Sequence, residues 1–139
     1  MKRLNMITLG VKDLDASTHF YRELFVWQPE DVDGGIVFFD MGGWRLALFP
    51  WDALAEDAMQ DTKSAGFRGI TLAHNVPNKE DVAPMLRHAQ ALGAILVKEA
   101  QDVFWGGHSG YFQDPNGHLW EVAHNPFTPM NNDGTLVIG

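Results

Sequence analysis

The chain has 139 residues, of which 45% are hydrophobic and 20% are charged, a composition typical of an ordinary globular domain. Its formal net charge of -8 argues against nucleic-acid binding, because a surface of that sign repels a phosphate backbone. The absence of cysteine excludes disulfides, thiolate zinc sites and cysteine nucleophiles in this chain. No apolar run approaches the roughly 20 residues of a membrane span, and no signal-peptide core follows the N-terminus. We therefore expect a cytoplasmic protein with no membrane partner.

The N-terminal segment predicts a strand followed by a helix. Residues 6–11 are nearly continuously apolar over the length of a strand. The segment 15–25 places its large apolar residues on one side at helical spacing. Asp13 or Asp15 can accept hydrogen bonds from the first backbone N–H groups of this helix and so act as its N-cap.

The same order of elements occurs a second time in the chain. The tripeptide Ile-Thr-Leu at residues 7–9 reappears at 70–72, inside the segment 69–74, which again predicts a strand. A second helix is expected to begin near Asn78, which can cap it, and to end at Gly93, where a C′ glycine belongs.

Each copy ends in a hairpin with a similar turn. Asp-Met-Gly-Gly at residues 40–43 corresponds to Asp-Pro-Asn-Gly at 114–117, and both supply residues that tolerate positive φ. The order strand, helix and three strands is thus repeated, which predicts an α+β fold built from two tandem modules. The predicted parts are a first module, a linker, a second module and a tail, at residues 1–55, 56–65, 66–125 and 126–139.

This duplicated βαβββ pattern resembles the vicinal oxygen chelate superfamily from Leu4 to Pro126. Its most specific motifs are Val-Lys-Asp-Leu at 11–14, which leads to Phe-Tyr, and Asp-Pro-Asn-Gly-His-Leu-Trp-Glu-Val at 114–122. Members include glyoxalase I, extradiol dioxygenases, fosfomycin-resistance enzymes and bleomycin-sequestering proteins. The resemblance implies a curled mixed sheet around a cleft, with the helices outside, and a homodimer.

The resemblance also identifies four positions that carry metal ligands in the metal-dependent members. Here these positions hold Met6, Ala47, Gly69 and Glu121. Only Glu121 offers a donor suited to a hard or borderline divalent ion, because a thioether is too soft and the other two side chains have no donor. We therefore expect neither a family-type metal site nor a cofactor.

The resemblance and strand alternation together predict which side chains line the cleft. Thr8, Arg45 and Phe49 follow by alternation from the ligand positions of the first module. Fosfomycin-resistance members use the positions corresponding to Ser109 and Tyr111 for ligand contact. The predicted ligand-binding residues, with two tryptophans at the rim, are Thr8, Arg45, Phe49, Trp51, Trp105, His108, Ser109, Tyr111 and Glu121.

Three functions are compatible with these residues. The leading hypothesis is a metal-independent protein that binds a small aromatic or amphipathic molecule, with Arg45 holding an anionic oxygen or pairing with Glu121. The alternative is a glyoxalase-like lyase, isomerase or dioxygenase, with Glu121 as the best catalytic candidate. It requires a metal held by Glu121 and His108, or acid–base catalysis by Glu121 alone. A third hypothesis is an accessory module that docks another protein through an exposed aromatic patch.

Overall fold

The computed structural model describes residues 4–30, 35–63 and 66–138. Residues 1–3 and 31–34 of the predicted first module, the last two residues of the linker and the final residue of the tail lie outside this description. The chain divides into two compact units, Met1–Phe67 and Arg68–Gly139. The first unit contains a three-stranded sheet and the second a four-stranded sheet, each with helices, so the predicted α+β fold is confirmed.

The first unit contains one helix between two strands and a second helix after the third strand. Its elements are β1 (Met6–Val11), α1 (Leu14–Phe25), β2 (Val37–Asp40), β3 (Arg45–Pro50) and α2 (Trp51–Asp57). The strand order is β1-β3-β2, with β1 parallel and β2 antiparallel to the central strand. Asp13 is the N-cap of α1, as predicted, because its side chain accepts a 3.0 Å hydrogen bond from the Ala16 N–H.

Where three strands were expected after α1, the described part of this unit has two. Residues 26–30 and 35–36 form no strand, and residues 31–34 lie outside the description. The Glu30 N–H nevertheless donates a 2.8 Å hydrogen bond to the Phe38 carbonyl, so the segment after α1 joins β2 there. The chain then passes from β3 directly into α2, which crosses the predicted module boundary at residue 55.

The second unit contains the complete predicted order of one strand, one helix and three strands. Its elements are β4 (Leu72–Asn75), α3 (Val82–Ala91), β5 (Ile95–Asp102), β6 (His108–Gln113) and β7 (Leu119–His124), in the order β4-β7-β6-β5. Across the described parts of both units, every helix is too short or too polar to cross a membrane.

Two predicted boundaries in this unit were wrong. The strand expected at 69–74 begins only at Leu72, because Gly69 has a φ of 76° and this left-handed backbone does not continue a strand. The helix expected from Asn78 is preceded by a short 3-10 turn at Lys79–Asp81, and Asp81 is its N-cap. The Asn78 side chain donates to the Asp81 carboxylate instead of capping the helix.

Two register shifts in β5 bring its backbone close to Gly110 of β6. The pairing of β5 with β6 shifts register between Leu96 and Lys98 and again between Lys98 and Gln101. At Gly110 of β6, an added Cβ would lie 2.6 Å from the Lys98 carbonyl oxygen and 2.5 Å from the Leu86 side chain of α3. Only glycine therefore fits at this position without displacing backbone, and the contact with Leu86 shows that Gly110 faces α3.

Candidate functional site

Four polar side chains lie on the face of the second sheet opposite α3. Glu121 pairs with Tyr111 across β7 and β6, and Tyr111 pairs with Lys98 across β6 and β5. Directly paired residues share a face of the sheet, and Ser109 shares it because it lies two residues before Tyr111. Gly110, between Ser109 and Tyr111, faces α3 instead. We call the surface formed by Lys98, Ser109, Tyr111 and Glu121 the Glu121 face.

Tyr111 and Glu121 interact directly on this face. Burial, then the negative charge of Glu121 and a hydrogen bond to its carboxylate, raise the pKa of the Tyr111 phenol. The phenol therefore remains a hydrogen-bond donor at neutral pH. Ser109 is buried, whereas Lys98 is exposed. The face thus offers a phenol, a carboxylate and an ammonium group, with the buried Ser109 hydroxyl next to them, and these groups suit a ligand that carries both donors and acceptors.

The interaction can be measured because the chain has only two tyrosines. In a Tyr21→Phe background, we expect ultraviolet titration of Tyr111 to give a pKa above the ordinary value near 10. Glu121→Gln should move that pKa back downward, since the charge and the carboxylate acceptor are removed while burial remains. An unchanged Tyr111 pKa in Glu121→Gln would show that the two side chains do not interact in solution.

The residues predicted in the first unit also share one sheet face, but part of that face is covered. Thr8 pairs with Ala47, and Phe49 pairs with Gly10. An added Cβ at Gly10 would lie 3.1 Å from the Trp51 ring, so Trp51 at the start of α2 packs directly on this face. The Trp51 Nε1–H donates a 2.9 Å hydrogen bond to the Thr62 carbonyl, which helps to hold the ring in place.

Arg45 has a partner that the sequence did not reveal. Its Nε and Nη2 atoms donate hydrogen bonds of 3.1 and 2.9 Å to the two carboxylate oxygens of Glu30, and its guanidinium lies 4.9 Å from the Phe38 ring centroid. The predicted alternatives were a bond to an anionic ligand or a pair with Glu121. The structure shows a two-point ion pair with Glu30, and a ligand would have to compete with it for the guanidinium.

His108 lies on the opposite side of the sheet from Glu121, so its predicted place beside Glu121 was wrong. Alternation along β6 puts His108 on the α3 side, since it is two residues from Gly110. Its Nδ1 lies 2.9 Å from Asp102 Oδ1, which also accepts a 2.8 Å bond from Lys79 Nζ. Because His108 lies on that side and contacts Asp102 there, Glu121 and His108 do not form a joint metal site.

Trp105 lies in the loop that leads into β6. Its ring occupies the space that a side chain at Gly107 would need, and Gly107 lies two residues before Ser109. The Phe127 ring covers Gly106 in the same loop, 2.7 Å from the position of an added Cβ. The two glycines thus allow two aromatic rings to pack against the loop backbone beside the strand that carries Ser109 and Tyr111.

Comparison with known proteins agrees with this fold. The family model for the Glyoxalase/Bleomycin resistance protein/Dioxygenase superfamily matches residues 3–122. The chain belongs to this superfamily. Metallothiol transferase FosB of Shouchella clausii is 30% identical over 86% of this chain and 77% of its own length. Fosfomycin resistance protein FosX of Listeria monocytogenes is 29% identical over 86% of each chain. The crystal structure of a glyoxalase-related enzyme from Fulvimarina pelagi superimposes with a TM-score of 0.90 at 38% identity, covering 100% of this chain and 99% of that one.

The residues at the superfamily's metal-ligand positions do not fit a metal ion. Ala47 is fully buried in β3 and Gly69 precedes β4, so neither supplies a side-chain donor. Strand pairing adds no further metal donor beside these positions. Thr8 lies opposite Ala47, and the β4 residue opposite Glu121 is Ala73, which has no side-chain donor. Within residues 4–30, 35–63 and 66–138, no three His, Cys, Asp or Glu side chains are placed to hold an ion together.

Lys98 is the residue of the Glu121 face that the sequence reasoning missed. It lies opposite Tyr111 only because the bulge near Val97 adds a residue to β5 at that point. In an uninterrupted ladder, the partner of Phe112 is Leu96 and the partner of Tyr111 would be Val97. No turn residue or apolar repeat in segment 95–102 indicates the position of the bulge, so strand alternation alone could not have found this lysine.

Proposed function

We propose that this protein binds a small aromatic or amphipathic organic molecule at the Glu121 face and that it does so without a metal ion. One observation carries the proposal. The positions that the resemblance to fosfomycin-resistance members identifies for ligand contact hold Ser109 and Tyr111, on one face with Glu121 and Lys98. The other positions that the resemblance identifies for metal ligands hold Met6, Ala47 and Gly69. A surface that has polar groups for a ligand but only one of the four metal donors favours binding of that ligand over metal-assisted chemistry.

The mixture of groups on the face indicates how such a ligand is held. Lys98 attracts an anionic oxygen, and the Tyr111 phenol donates a directed hydrogen bond. Glu121 accepts from a ligand N–H or O–H, and Trp105 in the adjacent loop offers a flat apolar surface. A ligand with a planar or apolar body and both polar donors and acceptors satisfies all of these groups.

Metal analysis followed by calorimetry tests the proposal. The chain purified without chelator should contain far less than one divalent ion per molecule and should bind a probe from a panel that includes bleomycin and fosfomycin. Glu121→Gln and Lys98→Met should each weaken that binding by about tenfold, the loss expected for one charge-assisted contact. Glu23→Gln, which removes an exposed carboxylate from α1, should leave binding unchanged. One ion per chain that disappears in Glu121→Gln would contradict the proposal.

A second candidate is an enzyme that uses Glu121 in metal-free acid–base catalysis. The observation that favours it is the pairing of Glu121 with Tyr111 across β7 and β6, which places a carboxylate acceptor beside a phenol donor. The two curated relatives are a metallothiol transferase and a fosfomycin resistance protein. Incubation of the metal-free protein with fosfomycin, with and without a thiol, separates the candidates: product formation that is lost in Glu121→Gln supports the enzyme.

A further inference from the structure

A pocket lies on the α3 side of the second sheet, away from the Glu121 face. Ala73 pairs with Glu121 and so shares its face, which turns the neighbouring His74 of β4 toward the α3 side. The helix α3 packs against β5, β6 and β7, and beside it the edge strand β4 borders a pocket of about 420 Å³. That volume lies in the range of roughly 300–1,000 Å³ that is typical of small-molecule sites.

The pocket combines apolar walls with an acidic group. Its lining includes His74, Val76, Asp81, Pro84, Met85 and His88. Burial lowers the pKa of His74, so its imidazole is uncharged at neutral pH. None of the described residues that line the pocket is a lysine or an arginine. The Asp81 carboxylate would therefore repel an anionic ligand, since no lysine or arginine of the described lining offsets its charge. The same carboxylate would attract a cationic ligand.

We propose that this pocket binds a small organic cation, an amine with an aromatic or aliphatic body. Its ammonium group lies at Asp81, where a charge-assisted hydrogen bond is available. Its apolar body packs against Val76, Pro84 and Met85, and the thioether of Met85 suits contact with an aromatic ring. This site does not depend on the function proposed for the Glu121 face, because the two lie on opposite sides of the sheet.

Phenethylamine is a suitable probe, with phenylacetate as an anion of similar size and shape. We expect calorimetry on the full chain to detect binding of phenethylamine and none of phenylacetate. Asp81→Asn should weaken binding of the amine by about tenfold, the effect of losing one charge-assisted contact. The Asp81 side chain makes no capping hydrogen bond to α3, and asparagine is as favourable as aspartate at an N-cap position, so the variant should keep the helix intact.

Glu80→Gln is the matched control. It removes the same charge from the adjacent, exposed residue, which does not line the pocket. Binding in this variant should stay close to that of the parent chain. Equal weakening in both variants would overturn the proposal, because it would assign binding to the overall charge of -8.

Met85→Trp tests the location of the site independently of charge. A tryptophan at this position fills part of the pocket and should abolish binding of phenethylamine. Unchanged binding in this variant would place the amine elsewhere and overturn the proposal. Equal affinity for phenylacetate, or no binding of the amine up to about 10 mM, would also overturn it.

Discussion

Gly110→Ala is expected to lower the free energy of unfolding by about 2–3 kcal/mol, because the added methyl group overlaps backbone atoms that cannot move independently. Its Cβ would lie 2.6 Å from the Lys98 carbonyl oxygen, 3.1 Å from the Ala100 nitrogen and 2.5 Å from the Leu86 side chain. The leucine can change its rotamer, but relief of the backbone overlap requires β5 to move away from β6. Urea denaturation followed by tryptophan fluorescence measures the change.

Gly10→Ala provides the matched control. Its new methyl group would meet the Trp51 ring at 3.1 Å, and a side chain can shift by a few tenths of an ångström. We therefore expect a smaller loss of stability, below about 1 kcal/mol. Equal losses of stability in the two variants would show that contact with the β5 backbone is not the reason why position 110 requires glycine.

Asp114→Ala is expected to destabilise the second unit by about 2–3 kcal/mol, because it removes a buried carboxylate and leaves two partly buried N–H groups without their acceptor. Asp114 is 1% exposed, and its Oδ1 accepts 2.8 Å hydrogen bonds from the Asn116 and His118 N–H groups. Asp114→Asn retains an oxygen at this position and should recover part of the loss. Thermal denaturation and urea titration both report the change.

The equivalent turn of the first unit offers a comparison within the same chain. Asp40 is exposed and accepts a 2.8 Å hydrogen bond from the Gly42 N–H. Water can replace that acceptor, so Asp40→Ala should reduce stability by less than about 1 kcal/mol. A loss in Asp40→Ala as large as that in Asp114→Ala would contradict the role assigned to burial.

Local chemical signals predicted much of the fold. Asp13 caps its helix because a carboxylate at that place accepts the N–H three residues on. Gly93 follows α3 with a φ of 105°, the left-handed backbone expected of a glycine after a helix. The two Asp-initiated turns likewise connect β2 to β3 and β6 to β7, as predicted. Each of these features depends on neighbouring residues in the chain, so the sequence contains the necessary information.

The errors arose where distant parts of the chain decide the outcome. The repeated Ile-Thr-Leu placed the second strand too early, because the conformation of Gly69 interrupts the extended backbone. His108 contacts Asp102 on a different strand, and Asp102 is bound in turn by Lys79 on the turn before α3. Arg45 is bound by Glu30, fifteen residues away in a segment with no predicted role. Such side-chain pairings depend on how the elements pack, which alternation along a single strand does not report.

The first register shift in β5 also has an evolutionary consequence. Removal of the Lys98 codon would eliminate this shift and place Val97 opposite Tyr111. A single deletion could thus replace the ammonium group opposite Tyr111 with an apolar side chain, while the hairpin, the helix and the remaining strands persist. Because the Glu121 face is the ligand site proposed above, the length of this one strand offers natural variation and laboratory selection a short route to a face with different polar groups.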